Sequence, residues 1–190
     1  MNYYDKNAQE FVDGTVDTDM TIHYNEFLPL IPKNGSILDA GCGSGRDTLK
    51  FKSLGYNVVA IDGSEEMCKL ASEFTGQEVL HMQFQDIEFN QKFDGIWACA
   101  SLLHVPSSEI GMVLEKLKKS LKENGILYAS FKYGDFEGER NGRYFNDLSE
   151  SKAIELFSKH DFEVIKTWIT SDNRLNREDE KWANILVCKA

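Results

Sequence analysis

The stretch SILDAGCGSGRDT (residues 36–48) decides how the chain is to be read. A short apolar run suited to a buried strand passes into three glycines in five positions, Gly41, Gly43 and Gly45, and then into a charged, helix-compatible segment. A strand, a bare turn and a helix N-terminus leave main-chain N–H groups open to a ligand, with no Cβ in the way. The pattern is G-x-G-x-G. A dinucleotide fingerprint needs its third glycine at position 46, where this chain has Arg46, and no Gly-Lys-Ser/Thr occurs, so the turn suits neither NAD nor a P-loop ligand.

On both sides of this stretch strands and helices alternate. Strands are expected at 36–40, 56–62, 78–84, 93–100 and 126–132. Helices are expected at 47–54, after Ser64 (with Met67, Leu70, Ala71 and Phe74 on one face) and from Ser107 or Ser108, the last ended by KENG at 122–125. Residues 133–147 read as a glycine-rich charged loop and 149–159 as a helix, and 162–170 and 181–189 as two strands with no helix between them. Five βα-type strands followed by a helix and a terminal hairpin imply an α/β fold. Its sheet is mostly parallel, with a C-terminal antiparallel hairpin and helices on both faces. One domain is expected over 1–190, with a helical segment at 1–35 in front of a core at 36–190.

The 190 residues include 21 basic and 31 acidic ones, a net charge of −10, and no basic patch stands out against it. Nucleic acid is a disfavoured partner on that ground. The four cysteines form no C-x-x-C pair, which reads as free thiols in a reducing compartment, with no structural metal and no disulfide framework. The N-terminus MNYYDKNAQEF lacks a signal-peptide apolar run, and no segment reads as a membrane span, so a cytoplasmic protein is expected.

In an open parallel sheet the ligand sits beyond the carboxyl ends of the strands. Asp62 follows Gly45 by 17 residues at the end of the second strand, where a carboxylate can accept both hydroxyls of an adenosine ribose. Asp86, after the third strand, can meet the exocyclic amine of adenine. With the glycine turn these positions describe a pocket for an adenosine without phosphate, with Asp39 near a cationic tail.

The chain therefore resembles the class I S-adenosylmethionine-dependent methyltransferases. The matching pieces are ILDAGCGSG, VVAIDGS, FQDIEF, FDGIWACASLLHV and LKENGILYASF, spanning about residues 36 to 132. In detail it is similar to small bacterial tellurite-resistance-type enzymes. The resemblance implies a Rossmann-like seven-stranded sheet, S-adenosyl-L-methionine as cofactor and S-adenosyl-L-homocysteine as product. It implies that Gly41, Cys42 and Gly43 contact the methionine part through their backbones and that Asp62 takes the ribose, with Gly63 and Met67 beside it. Asp86 and the Ile87 N–H would read the adenine edge, and Cys99 or Ala100 would offer a carbonyl to the methionine amino group. Tyr3, Tyr4 and Met20 are candidates for an N-terminal lid.

Methyl transfer from a sulfonium needs alignment and exclusion of water, and a base only if the nucleophile must lose a proton. His104, in SLLHVP, is the histidine placed to serve as that base or as a structural hydrogen-bonding group, and His23, His81 and His160 have no comparable placement. No Asn/Asp-Pro-Pro-Tyr/Phe box and no Pro-Cys pair occurs, which moves DNA further down. Lys132, Tyr133, Arg140 and Arg143 gather around the loop after the fifth strand and suggest a small anionic or oxyanion-bearing acceptor. A protein or RNA acceptor, a non-catalytic cofactor-binding module and a nicotinamide-dependent reductase stay open at this point, as does the oligomeric state.

Overall fold

A computed structural model describes residues 3–172, 177 and 179–189. The elements are α1 (Tyr3–Asp13), α2 (Thr21–Phe27), β1 (Ser36–Ala40), α3 (Arg46–Ser53), β2 (Asn57–Asp62), α4 (Glu65–Thr75), β3 (Val79–His81), β4 (Phe93–Ala98) and α5 (Ser107–Ser120). They continue with β5 (Leu121–Lys132), β6 (Glu137–Arg140), β7 (Arg143–Asn146), α6 (Glu150–Lys159), β8 (Phe162–Ser171) and β9 (Lys181–Lys189). Seven strands form one sheet in the order β3-β2-β1-β4-β5-β9-β8, and β9 runs antiparallel to both of its neighbours. This is the expected mostly parallel Rossmann-like sheet.

The strands are buried on both faces because their apolar side chains alternate between two cores. Leu38, Ile96, Leu127, Ala129 and Phe131 join α5 and α6 in one cluster. Ile37, Trp97, Tyr128 and Leu186 join Phe27 and Phe51 in the other. Since β1 pairs with β2 on one side and with β4 on the other, strand order reverses there, and a crevice opens beyond the ends of β1 and β4.

Three local expectations need correction. The strand expected at 78–84 is only Val79–His81, and a 3-10 turn at Phe84–Asp86 follows. Residues KENG do not end α5; they belong to β5, where a register shift opposite Phe93 absorbs Asn124 at φ 58°. The loop expected at 133–147 contains the hairpin β6–β7, paired from Glu137↔Asn146 to Arg140↔Arg143.

A buried polar group knits the second cluster together. Asp47 accepts hydrogen bonds from the Tyr24 hydroxyl (2.5 Å) and the Trp97 indole (2.8 Å), and the Arg46 guanidinium grips both of its oxygens (2.8 Å each). Trp97 in turn stacks on Tyr128 with ring centroids 4.1 Å apart. Replacing Asp47 with Ala strands two buried neutral donors and one cation, so Asp47→Ala should lower unfolding free energy by about 3–5 kcal/mol. Urea titration followed by tryptophan fluorescence checks this, and a loss below about 1 kcal/mol would contradict it.

Candidate functional site

Beyond the sheet's carboxyl edge lies a cavity of about 840 Å³. Gly41, Cys42, Gly43, Asp62, Gly63 and Met67 line one end of it; Lys132, Arg143, Asp172 and Trp182 line the other. The turn after β1 reverses through left-handed backbone at Gly41 (φ 80°), where a Cβ would lie 2.5 Å from that of Ser101. At Gly43 (φ 55°) a Cβ would come within 3.3 Å of the Phe11 ring and 3.9 Å of the Met67 methyl, both on the cavity wall. The Gly43 N–H donates to one Asp62 oxygen and the Ser64 N–H to the other, each at 2.9 Å. Burial raises the Asp62 carboxyl above the usual range, against the pull of these two donors. Each oxygen keeps further acceptor capacity.

α1 crosses the mouth of the cavity and is tied down on both rims. On the first rim the Ser64 hydroxyl, which also caps α4, donates to Asp5 at 2.6 Å, and Phe11 lies over Gly43. On the other rim the Tyr4 hydroxyl meets His104 Nε2 at 2.7 Å, and the Arg143 guanidinium lies 4.8 Å from the centre of the Tyr3 ring. Arg46 reaches the Thr15 carbonyl at 3.1 Å. Tyr4 and Met20 line the cavity, while Tyr3 packs edge-on against Tyr4.

The partners of His104 define its state. Its Nδ1 lies 2.6 Å from the Tyr144 carbonyl, which can only accept, so Nδ1 carries the proton and the bare Nε2 accepts from Tyr4. Burial pushes its pKa down to about 4, with the Tyr144 carbonyl opposing and Arg143 adding to the fall. The sequence leaves His104 open as a base or a structural hydrogen-bonding group; both ring nitrogens are engaged here, and the neutral ring ties α1 to this rim.

Most cations at the other end of the cavity are already answered. Lys132 contacts Asp172 (3.2 Å) and Glu180 and lies over Trp182, Arg140 pairs with Asp147 (2.9 Å), and Arg177 with Glu180 (3.7 Å). Arg143 has no carboxylate partner among the described residues, and its buried Nε has no hydrogen-bond partner. Its guanidinium lies over the rings of Tyr3 and Phe145. Tyr133, half-exposed, also lines this end.

Three expected cofactor residues lie elsewhere. Asp39 is buried behind the turn, bonded to the Thr48 hydroxyl at 2.5 Å, and does not line the cavity. Asp86 is exposed and Ile87 is packed in the larger core, because the 3-10 turn presents Phe84 and Gln85 to the cavity instead. Cys99 and Ala100 do line it. His23, set aside on sequence grounds, lines it too, and only the folding of α2 onto β5 brings it there. Among the described residues no three His, Cys, Asp or Glu groups could hold a metal, and no helix is long and apolar enough to cross a membrane.

The pattern of a methyltransferase-domain family matches residues 37–125. A methyltransferase of Staphylococcus carnosus (strain TM300) is 31% identical over 173 residues, covering 83% of each chain. Among solved structures, the 1,6-didemethyltoxoflavin-N1-methyltransferase of Burkholderia thailandensis, determined with 1,6-didemethyltoxoflavin and S-adenosylhomocysteine bound, superposes with a TM-score of 0.79 at 19% identity. That match covers 98% of this chain and 84% of that one. A methyltransferase of Methanosarcina mazei gives 0.77 at 19% identity, covering 90% and 98%.

The state of His104 has a measurable consequence for stability. The unfolded ring takes a proton near pH 6.5 and the folded one only near 4, so its contribution is full above pH 6.5 and is lost as pH falls toward 4. His104→Gln should therefore shrink the acid-side loss of unfolding free energy between pH 6.5 and 4 by on the order of 2 kcal/mol. Asp39, held up near 8 by burial and by the Asp47 charge, works in the opposite direction but is common to both proteins and cancels. Urea titrations of both proteins at the two pH values check this; equal losses would place the ring's pKa near its ordinary value.

Proposed function

The chain belongs to the class I S-adenosylmethionine-dependent methyltransferase family, and from that premise we propose that it methylates a small acceptor bearing an anionic or oxyanion group. The observation that carries this reading is Arg143, a cation on the cavity wall whose Nε is buried without a partner and which no carboxylate neutralises among the described residues. A guanidinium in that condition favours a carboxylate or oxyanion that can take a fork of N–H donors. Lys132 and Arg140 are spoken for by their own carboxylates, and in our reading they shape the site without gripping the acceptor.

The cofactor brings a methyl group activated on a sulfonium. The residues present fit it. A bare backbone at Gly43, which a Cβ would crowd, and an Asp62 carboxylate with spare lone pairs suit the methionine portion and the ribose. In this reading Gly41, Cys42 and Gly43 hold the methionine portion, Asp62 the ribose hydroxyls with Gly63 and Met67 beside it, and Phe84 and Gln85 take the adenine side in place of Asp86 and Ile87. Cys99 or Ala100 offers the carbonyl for the amino group. The chain's own task is then alignment and dryness: α1, pinned through Tyr4, Asp5 and Phe11, closes the cavity against water.

The motifs ILDAGCGSG, VVAIDGS and FQDIEF are what support placing it with the small bacterial tellurite-resistance-type enzymes. The four free thiols support a reducing, cytoplasmic setting.

Two variants separate the halves of the proposal. Asp62→Ala should weaken S-adenosylmethionine binding about tenfold or more in calorimetric titration, the loss of a charge-assisted bidentate contact. Arg143→Gln should leave that affinity within about twofold and lower kcat/KM about tenfold or more, followed as S-adenosylhomocysteine formed from the small-molecule fraction of a cell extract. Unchanged cofactor affinity in the first variant, or unchanged kinetics in the second, would overturn the corresponding assignment.

A further inference from the structure

We propose that His23 is the general base of the reaction: its Nε2 takes the proton that the acceptor's nucleophilic atom loses as it is methylated. The inference rests on the methyl-transfer reading and goes beyond it by naming the proton's destination.

It is carried by a hydrogen-bond chain behind the ring. The Asn184 side-chain nitrogen lies 3.1 Å from the Trp168 carbonyl and 3.3 Å from that of Trp182, and only an amide N–H can serve two carbonyls. The Asn184 oxygen therefore faces Tyr128 and accepts its hydroxyl proton at 2.8 Å. With that proton committed, the Tyr128 oxygen can only accept from His23 Nδ1 at 3.2 Å. Nδ1 then holds the imidazole's proton, and Nε2 keeps its lone pair.

That lone pair is available. Among the described residues Nε2 has no hydrogen-bond partner, and the ring lines the cavity with Met20, Cys99 and Ser130. The ring packs against both Tyr128 and Trp168, with centroids 5.7 and 5.9 Å away. An orienting group that fixes the tautomer of a histidine base is a known requirement of acid–base catalysis. His104 has the same tautomer for the same kind of reason, but Tyr4 occupies its Nε2. The two histidines divide the work: one holds the lid helix, the other faces the acceptor.

The charges around His23 keep it neutral. Burial depresses its pKa to about 4; Asp47 on α3 and Asp19 before α2 oppose the fall, and Arg46 on α3 adds to it, while β5, β8 and β9 present the uncharged Tyr128, Trp168 and Asn184. A weak base suffices, because the acceptor's proton becomes strongly acidic as the new bond forms. In the step, a lone pair of the acceptor atom attacks the methyl carbon and the C–S electron pair returns to sulfur. The acceptor's proton passes to Nε2, and the imidazolium returns it to solvent when the cavity opens. The acceptor is thus a small anion whose nucleophile carries hydrogen: a hydroxyl, a thiol or an N–H.

The test uses the full chain saturated with S-adenosylhomocysteine. Its ¹⁵N-edited histidine spectrum should show Nδ1 protonated and Nε2 bare at His23; a proton on Nε2 would overturn the proposal. His23→Gln, which can still donate to Tyr128 but cannot take a proton, should keep S-adenosylhomocysteine affinity within about twofold. Its product formation from the small-molecule fraction of a cell extract should fall about a hundredfold or more, and the slowing by D₂O seen in wild type should disappear. Tyr128→Phe, which frees the tautomer, should cost about tenfold. Turnover by His23→Gln at the wild-type rate, or loss of S-adenosylhomocysteine binding, would also overturn the proposal. An extract that yields no product with wild type counts against the small-acceptor reading instead, and the nitrogen spectrum then decides on His23 alone.

Discussion

The carboxylate of Asp47 is the constraint on which the cavity's geometry depends. It is almost wholly buried, and a charge so placed persists only when surrounded by donors. Arg46 supplies two, Tyr24 and Trp97 one each, and so the first turn of α3 is locked to α2 and to β4. The remaining reach of Arg46 ends on the Thr15 carbonyl, so the same ion pair also holds the segment that follows α1. Nearby Asp39 cannot ionise alongside it: burial and the Asp47 charge push its pKa up to about 8, while Arg46 and the hydrogen bonds hold that of Asp47 down. Two close carboxylates thus share the site as one charged and one neutral group.

From that anchor the two ends of the cavity acquire different chemistry. The glycine turn presents backbone free of side chains, its N–H groups at Gly41 and Cys42 held by the Ile61 carbonyl and that of Gly43 by Asp62, and Asp62 presents a carboxylate with acceptor capacity to spare, which suits a hydroxyl-rich ligand. The far end presents cations, nearly all of them paired, and aromatic faces. In a protein of net charge −10, one unneutralised arginine on a cavity wall is a specific feature of that wall and not a reflection of the overall balance. The N-terminal residues close the space between the ends, and their contacts with Ser64 and His104 fall on opposite rims.

Much of this was legible in the sequence, for physical reasons. The glycine turn, Asp62 and the strand–helix alternation are local signals, and each strand end is fixed by a few adjacent residues. The β6–β7 hairpin was not legible, because four-residue strands carrying Glu139, Arg140 and Arg143 offer no hydrophobic alternation. Asp86 and Ile87 were misplaced because a strand three residues long gives way to a 3-10 turn, which changes which side chains face the ligand. His23 was invisible for a different reason. Its partner Tyr128 lies 105 residues away, and no spacing rule connects an N-terminal helix to the fifth strand. His104 was found, but its occupation by Tyr4, 100 residues distant, was not.

The central claim is that S-adenosylmethionine occupies the glycine-turn end of the cavity. A titration of ¹⁵N-labelled protein with this ligand, followed amide by amide, tests it most directly. The account predicts saturable shifts at residues 41–44 and 62–64, with smaller changes along α1 as the lid helix responds, and no comparable shifts with NADH. Shifts confined to other parts of the chain, or equal saturation by NADH at the same amides, would contradict it.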